Sequence, residues 1–146
     1  MPMVSLDLDH VHITVSDREA SADWYERVLG LRRDARVPHW ASDPTQPLFI
    51  GSGRSRSCIA LFQRRPDDPP RAGDHTVGFA VSGADFLAFA ARLDALSLTH
   101  RDGEPLTRAN TVDHGAAWSF HFLDPDGNRI ELTSYDHEMI AAALTA

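Results

Sequence analysis

Residues 9 to 17, DHVHITVSD, alternate in character: Val11, Ile13 and Val15 are apolar, with His10, His12 and Thr14 polar between them. A period of two predicts a half-buried strand with one face turned to a core. Ser16-Asp17-Arg18-Glu19 follows as a capping box, in which Ser16 and Glu19 satisfy the free amides of a helix start. Ala20, Trp24 and Val28, with Tyr25 and Leu29 beside them, then share one helical face, and Gly30 supplies a left-handed stop.

The second half repeats this plan. DHTVGFAVS, residues 74 to 82, is strand-like, and Ser82-Gly83-Ala84-Asp85 is a weaker capping signal. Phe86, Phe89, Ala90 and Leu93 mark the buried face of a second helix. Strand material follows each helix. PLFIGSG and SCIALFQ flank a turn-prone stretch in the first half; AAWSFHFL and NRIELTSY flank Asp124-Pro125-Asp126-Gly127 in the second. Ile59-Ala60-Leu61 matches Ile130-Glu131-Leu132, so the order of elements and part of their sequence recur. The pattern predicts an internal duplication within one domain, residues 1–146. Module one is placed at about 6–63, a proline-rich linker at 64–73, module two at about 74–136 and a tail at 137–146. Thr99 to Asp113 has little periodicity and reads as a long loop. The tail predicts one short helix whose Met139, Ile140, Ala143 and Leu144 cover a partner or the back of a sheet.

Composition narrows the function classes. The chain has 146 residues, enough for a core without disulfide staples. Its formal charge of -7 argues against nucleic acid or an anionic membrane as a partner. No stretch approaches the roughly 20 apolar residues of a membrane span. The single cysteine, Cys58, excludes an intrachain disulfide and points to a reducing, cytoplasmic setting. The N-terminal MPMVSLDLDH lacks the features of a secretory signal.

DHVHITVSDREASADWYERVLGL, GFAVSGADFLAFAARL and FHFLDPDGNRIELTSYD together resemble the vicinal-oxygen-chelate superfamily, which includes glyoxalases, bleomycin-resistance proteins and extradiol dioxygenases. The likeness covers most of residues 8 to 136, and FLDPDGNRIEL is its most specific part. It implies an α+β fold of two βαβββ modules forming curved mixed sheets around a cavity. It also implies one divalent metal on the cavity faces of the strands, and a small-molecule substrate.

The resemblance places metal ligands at His10 and Glu131, and alternation independently puts both on the polar faces of their strands. The third position is less settled, because five residues separate His10 from Val15 but six separate His75 from Val81. The ligand register therefore falls on Thr76, and His75 serves only if a bulge near Gly73 or Gly78 turns it inward. Otherwise His12, His121 or water completes the shell. Ala60, the counterpart of Glu131, cannot coordinate, which disfavours a glyoxalase-type set of four ligands.

What the resemblance leaves is His10, His75 and Glu131 as metal ligands, with His12 and His114 as candidates for moving protons. Such a set suits Fe(II), with Mn, Co, Ni or Zn as alternatives. The expected function is a metal-dependent enzyme on a substrate with vicinal oxygens, most like a ring-cleaving dioxygenase. A glyoxalase-like lyase or isomerase and an enzyme modifying an antibiotic epoxide are the enzymatic alternatives. A metal-free, ligand-sequestering protein of the bleomycin-resistance kind is the alternative of another class. A homodimer is expected in each case.

Overall fold

The structure, a computed structural model, describes residues 7–36, 38–55, 57–69 and 75–146. The chain divides into two compact units, Met1–Arg71 and Ala72–Ala146, each an α+β module: βαβββ in the first, and in the second the same plan with its edge strand split into two short pieces. Gly73, one of the two bulge sites, and part of the linker at 64–73 lie outside the described residues.

In module one, β1 (His10–Val15) runs parallel to β4 (Cys58–Gln63). β3 (Leu48–Gly51) pairs antiparallel with β4, and β2 (Arg32–Arg33) with β3, giving the order β1-β4-β3-β2. The register joins Ile13, Leu61 and Leu48 in one row, and Val11, Ile59 and Ile50 in another. Directly paired residues share a face, so these rows form the core side. Helix α1 (Arg18–Leu29) adds Ala22, Tyr25 and Val28 to that core, none of them more than 1% exposed.

The helix begins one residue later than the capping-box reading places it. Asp17 is the cap, accepting the Glu19 and Ala20 amides on Oδ1 at 3.0 Å each. The buried face therefore runs through Arg18, Ser21, Ala22, Tyr25 and Val28, while Trp24 is only half-buried and Ala20 is exposed. Gly30 ends the helix as expected, at φ +71°. Arg18 is buried, 8% exposed, and its guanidinium is satisfied by main-chain carbonyls. It donates to those of Trp40, Ala41, Asp43 and Gln46 and so pins the 38–46 segment.

Module two follows the same order. β5 (Thr76–Ala80) is parallel to β9 (Arg129–Ser134), and β8 (Trp118–Leu123) is antiparallel to β9. The other edge of β8 is paired at its two ends by β6 (Thr99–His100) and β7 (Val112–Asp113). Helix α2 (Gly83–Leu96) starts at Ser82, whose hydroxyl accepts the Asp85 amide. It stacks Phe86 and Phe89 on Phe120 and Phe122, with ring centroids 4.9 to 5.7 Å apart.

The 99–113 stretch is more ordered than its sequence predicts. Besides the two short strands it carries a 3-10 turn, and its backbone bonds back through Leu106 N to Leu98 O and His100 N to Glu104 O. The expected tail helix is α3 (His137–Leu144), which buries Ile140 and leaves Met139 and Leu144 exposed.

Candidate metal centre

The face of the module-two sheet away from α2 carries Thr76, Gly78 and Ala80 on β5, Glu131 and Thr133 on β9, and Ser119 and His121 on β8. The register makes Gly78, Glu131 and His121 one row and Ala80, Thr133 and Ser119 the next. His121 Nε2 lies 3.5 Å from Glu131 Oε1. The fully buried Ser119 hydroxyl donates to the same oxygen at 2.8 Å. Thr133 lies beside Ser119 at 3.1 Å and donates to the Trp118 carbonyl. Glu131 is therefore oriented by strand neighbours rather than left to solvent.

His114 reaches this face from the β7–β8 hairpin. One ligand atom from each of His114, His121 and Glu131 lies within 4.8 Å of the others. Gly78, Ala80, Ala116 and Ala117 contribute little bulk around them. With Thr133 and Tyr135 they line an open cavity of about 520 Å³ beside His114 and Glu131.

Two neutral imidazoles and one carboxylate fit a divalent transition ion by donor chemistry. Burial pushes the His121 imidazole below its usual pKa, Arg101 adds to that effect, and Glu131 opposes it. At neutral pH the ring therefore keeps a lone pair to offer. Its Nε2 is the ring nitrogen turned toward Glu131, while Nδ1 is buried with no hydrogen-bond partner among the described residues.

Of the residues expected from sequence, Glu131 and His114 come together here. His75 lies one residue before β5 and is exposed, and it is not part of this cluster. Thr76, not His75, occupies the register position in module two that His10 holds in module one, since Thr76 pairs with Arg129 as His10 pairs with Cys58.

His10 and His12 lie on the corresponding face of module one. His10 Nδ1 is 2.6 Å from Asp9 Oδ2, and its ring meets Phe49 edge-on at 5.7 Å. His12 sits over Phe62 at 3.9 Å, with its pKa lowered by burial and then by His10. Phe49, Cys58 and Ala60 form a buried apolar cluster there, packed against Trp40 and Phe62. Burial likewise pushes the Cys58 thiol up, so it is a packed apolar group and not a nucleophile.

His121 is the residue that sequence reasoning held only as a fallback. Its signal was its position in a strand leading into the Asp124 turn, but the face depended on the length of that turn.

Residues 7–132 match the family described as the Glyoxalase/Bleomycin resistance protein/Dioxygenase superfamily. The chain is 31% identical over 126 residues to the glutathione transferase FosA of Serratia marcescens, spanning 86% of this chain and 78% of that protein. It is 28% identical over 126 residues to biphenyl-2,3-diol 1,2-dioxygenase 3 of Rhodococcus globerulus, of whose length it spans 61%. Among solved structures, an integron cassette protein from the mobile metagenome of V. cholerae is 27% identical, with a TM-score of 0.63 over 93% of this chain and 100% of that one. Oxidase ChaP-H2 shares the fold, with a TM-score of 0.66 at 19% identity over 90% of this chain and 94% of that one.

Proposed function

The chain belongs to the glyoxalase/bleomycin resistance protein/dioxygenase superfamily, and on that premise we propose that it is a divalent-metal-dependent enzyme acting on a small substrate with adjacent oxygens. The observation that carries the reading is the His121–Glu131 pair, with His114 beside it, on the small-residue face of module two. Glu131 is the anionic ligand, and His121 and His114 are the neutral ones. Fe(II) suits this set best, with Mn, Co, Ni or Zn also compatible. When bound, such an ion supplies Lewis acidity that stabilises negative charge on substrate oxygens.

The remaining work falls to the chain. Ser119 holds the Glu131 carboxylate in one orientation, with Thr133 beside the Ser119 hydroxyl. Gly78 and Ala80 leave room for a ligand against it, since a β-carbon on Gly78 would already stand 3.9 Å from Glu131 Oε2. The set His10, His75 and Glu131 is the rival arrangement, and in it His114 joins His12 as a proton carrier.

The reaction is proposed to be most like ring cleavage by a dioxygenase. A second reading, transfer of a nucleophile to an antibiotic epoxide, is favoured by the higher identity and fuller coverage of the Serratia transferase. A glyoxalase-like lyase is disfavoured because Ala60 offers no fourth ligand. No helix among the described residues is long and apolar enough to cross a membrane. A cytoplasmic setting and a homodimer built partly on Met139 and Leu144 complete the proposal.

Elemental analysis and anaerobic titration of untagged protein test the reading. About one ion per chain is expected from iron(II), manganese, nickel or zinc. No uptake of any of them would instead establish a metal-free, ligand-sequestering protein.

A further inference from the structure

His114 is the exposed member of the donor set, and it stands on a hairpin whose next two residues, Gly115 and Ala116, are exposed as well. Something else must fix its direction, because an exposed donor left free loses ordering entropy each time it binds. The neighbouring side chains form a closed set of contacts. Asp113 Oδ1 accepts the Gly115 amide at 2.8 Å and lies 2.6 Å from His137 Nε2. Trp118, the cross-strand partner of Asp113, donates its indole N–H to the His137 carbonyl at 3.1 Å. The His137 imidazole stacks on the Trp118 ring, with centroids 5.4 Å apart at 20°. Inside this frame His114 N donates to Ala117 O at 2.9 Å, and Gly115 takes the left-handed φ of +83° that the turn requires.

We propose that Asp113, Trp118 and His137 are positioning residues that clamp the hairpin and aim His114 at the Glu131–His121 pair. The clamp passes through the first residue of α3. That helix is anchored in turn by the buried Ile140 and by Asp136, whose Oδ2 accepts the Gly83 amide at the start of α2. The hairpin is thereby tied to the helical layer of module two, although its donor faces the other side of the sheet. The inference rests on His114 being a metal donor.

The test is cobalt(II) titration of the full chain, followed by absorption spectroscopy, with thermal melting in parallel. Five proteins are compared: the parent, His114→Ala, His137→Ala, His137→Gln and Ile140→Val. His137→Ala is expected to weaken cobalt binding about 10-fold, the scale of an outer-shell loss at a metal site. His137→Gln keeps an N–H donor for Asp113 and should recover most of that affinity. Ile140→Val loosens α3 without touching the clamp, and should lower the melting temperature while leaving affinity unchanged.

If His114→Ala weakens binding but His137→Ala does not, or if Ile140→Val weakens it as much as His137→Ala, the clamp is merely structural and the inference fails. If His114→Ala binds cobalt as the parent does, His114 is not a donor, and the ligand assignment fails together with the inference.

Discussion

The same row of three strands reads His12–Ala60–Phe49 in module one and Gly78–Glu131–His121 in module two. The backbone lattice is shared: the first strand of each module lies parallel to the last, and the strand before the last lies antiparallel to it. Only the side chains differ. In module one an alanine at the centre of the row lets Trp40 and Phe49 close over it as an apolar wall, stacked at 5.7 Å. In module two the bulk is removed from β5, and a carboxylate and an imidazole occupy the centre and the far side. The duplicated fold thus supplies one frame, and substitution at three positions decides whether a face is an apolar wall or carries a carboxylate and an imidazole.

The core faces, by contrast, should behave alike in both modules. Tyr25 and Phe86 are both 0% exposed under their sheets. Tyr25→Ala and Phe86→Ala should each cost about 3–5 kcal/mol, read from denaturant unfolding of the metal-free protein. A large loss in one module and almost none in the other would break the comparison.

A smaller effect separates the binding-side faces. A β-carbon on Gly51 would stand 3.2 Å from the Cys58 β-carbon, whereas one on Gly78 meets only Glu131 Oε2 at 3.9 Å. Gly51→Ala should therefore destabilise by about 1–2 kcal/mol. Gly78→Ala should be near neutral for the fold. Equal melting temperatures for the two variants would mean that the module-one wall is looser than described.

The smallest effect is on pH dependence. His121 and His12 are both held below the usual imidazole pKa, in each case chiefly by burial. Unfolded, each takes up a proton near pH 6.5; folded, each does so only at lower pH. Their contribution to stability is thus complete above about pH 6.5 and is lost as the pH falls through the window below it. Melting temperatures of the metal-free protein between pH 7.5 and 5 should fall more steeply for the parent than for His121→Asn. Identical slopes would contradict the burial of that ring.

Much of this was legible in the chain, because local periodicity specifies strands and helix faces directly. The polar side of β1, the buried face of α2 and the position of Glu131 all follow from spacing alone. What was not legible depended on single-residue differences. Asp17 rather than Ser16 caps α1 because its carboxylate reaches two amides, which rotates the buried face onto Ser21, Ala22 and Tyr25.

The β8–β9 turn is the consequential case. A four-residue turn, Asp124 to Gly127, would set His121 opposite Ile130, on the core side. The loop in fact holds five residues, because Asp124 Oδ1 accepts the Asn128 amide and Oδ2 its side-chain N–H, at 2.9 and 2.8 Å. That one residue moves His121 opposite Glu131. The order in 99–113 was invisible for a different reason: it comes from long-range backbone bonds that leave no periodic trace.

The central claim is that module two, and not the histidines of module one, holds the metal on Glu131. It is tested most directly by metal affinity in Glu131→Gln, His121→Ala, His10→Ala and His75→Ala, measured by titration with manganese(II) or iron(II) under anaerobic conditions. The account predicts a loss of about 100-fold or more for Glu131→Gln and for His121→Ala, with His10→Ala and His75→Ala close to the parent. Unchanged affinity in His121→Ala, together with a comparable loss in His10→Ala and His75→Ala, would contradict it.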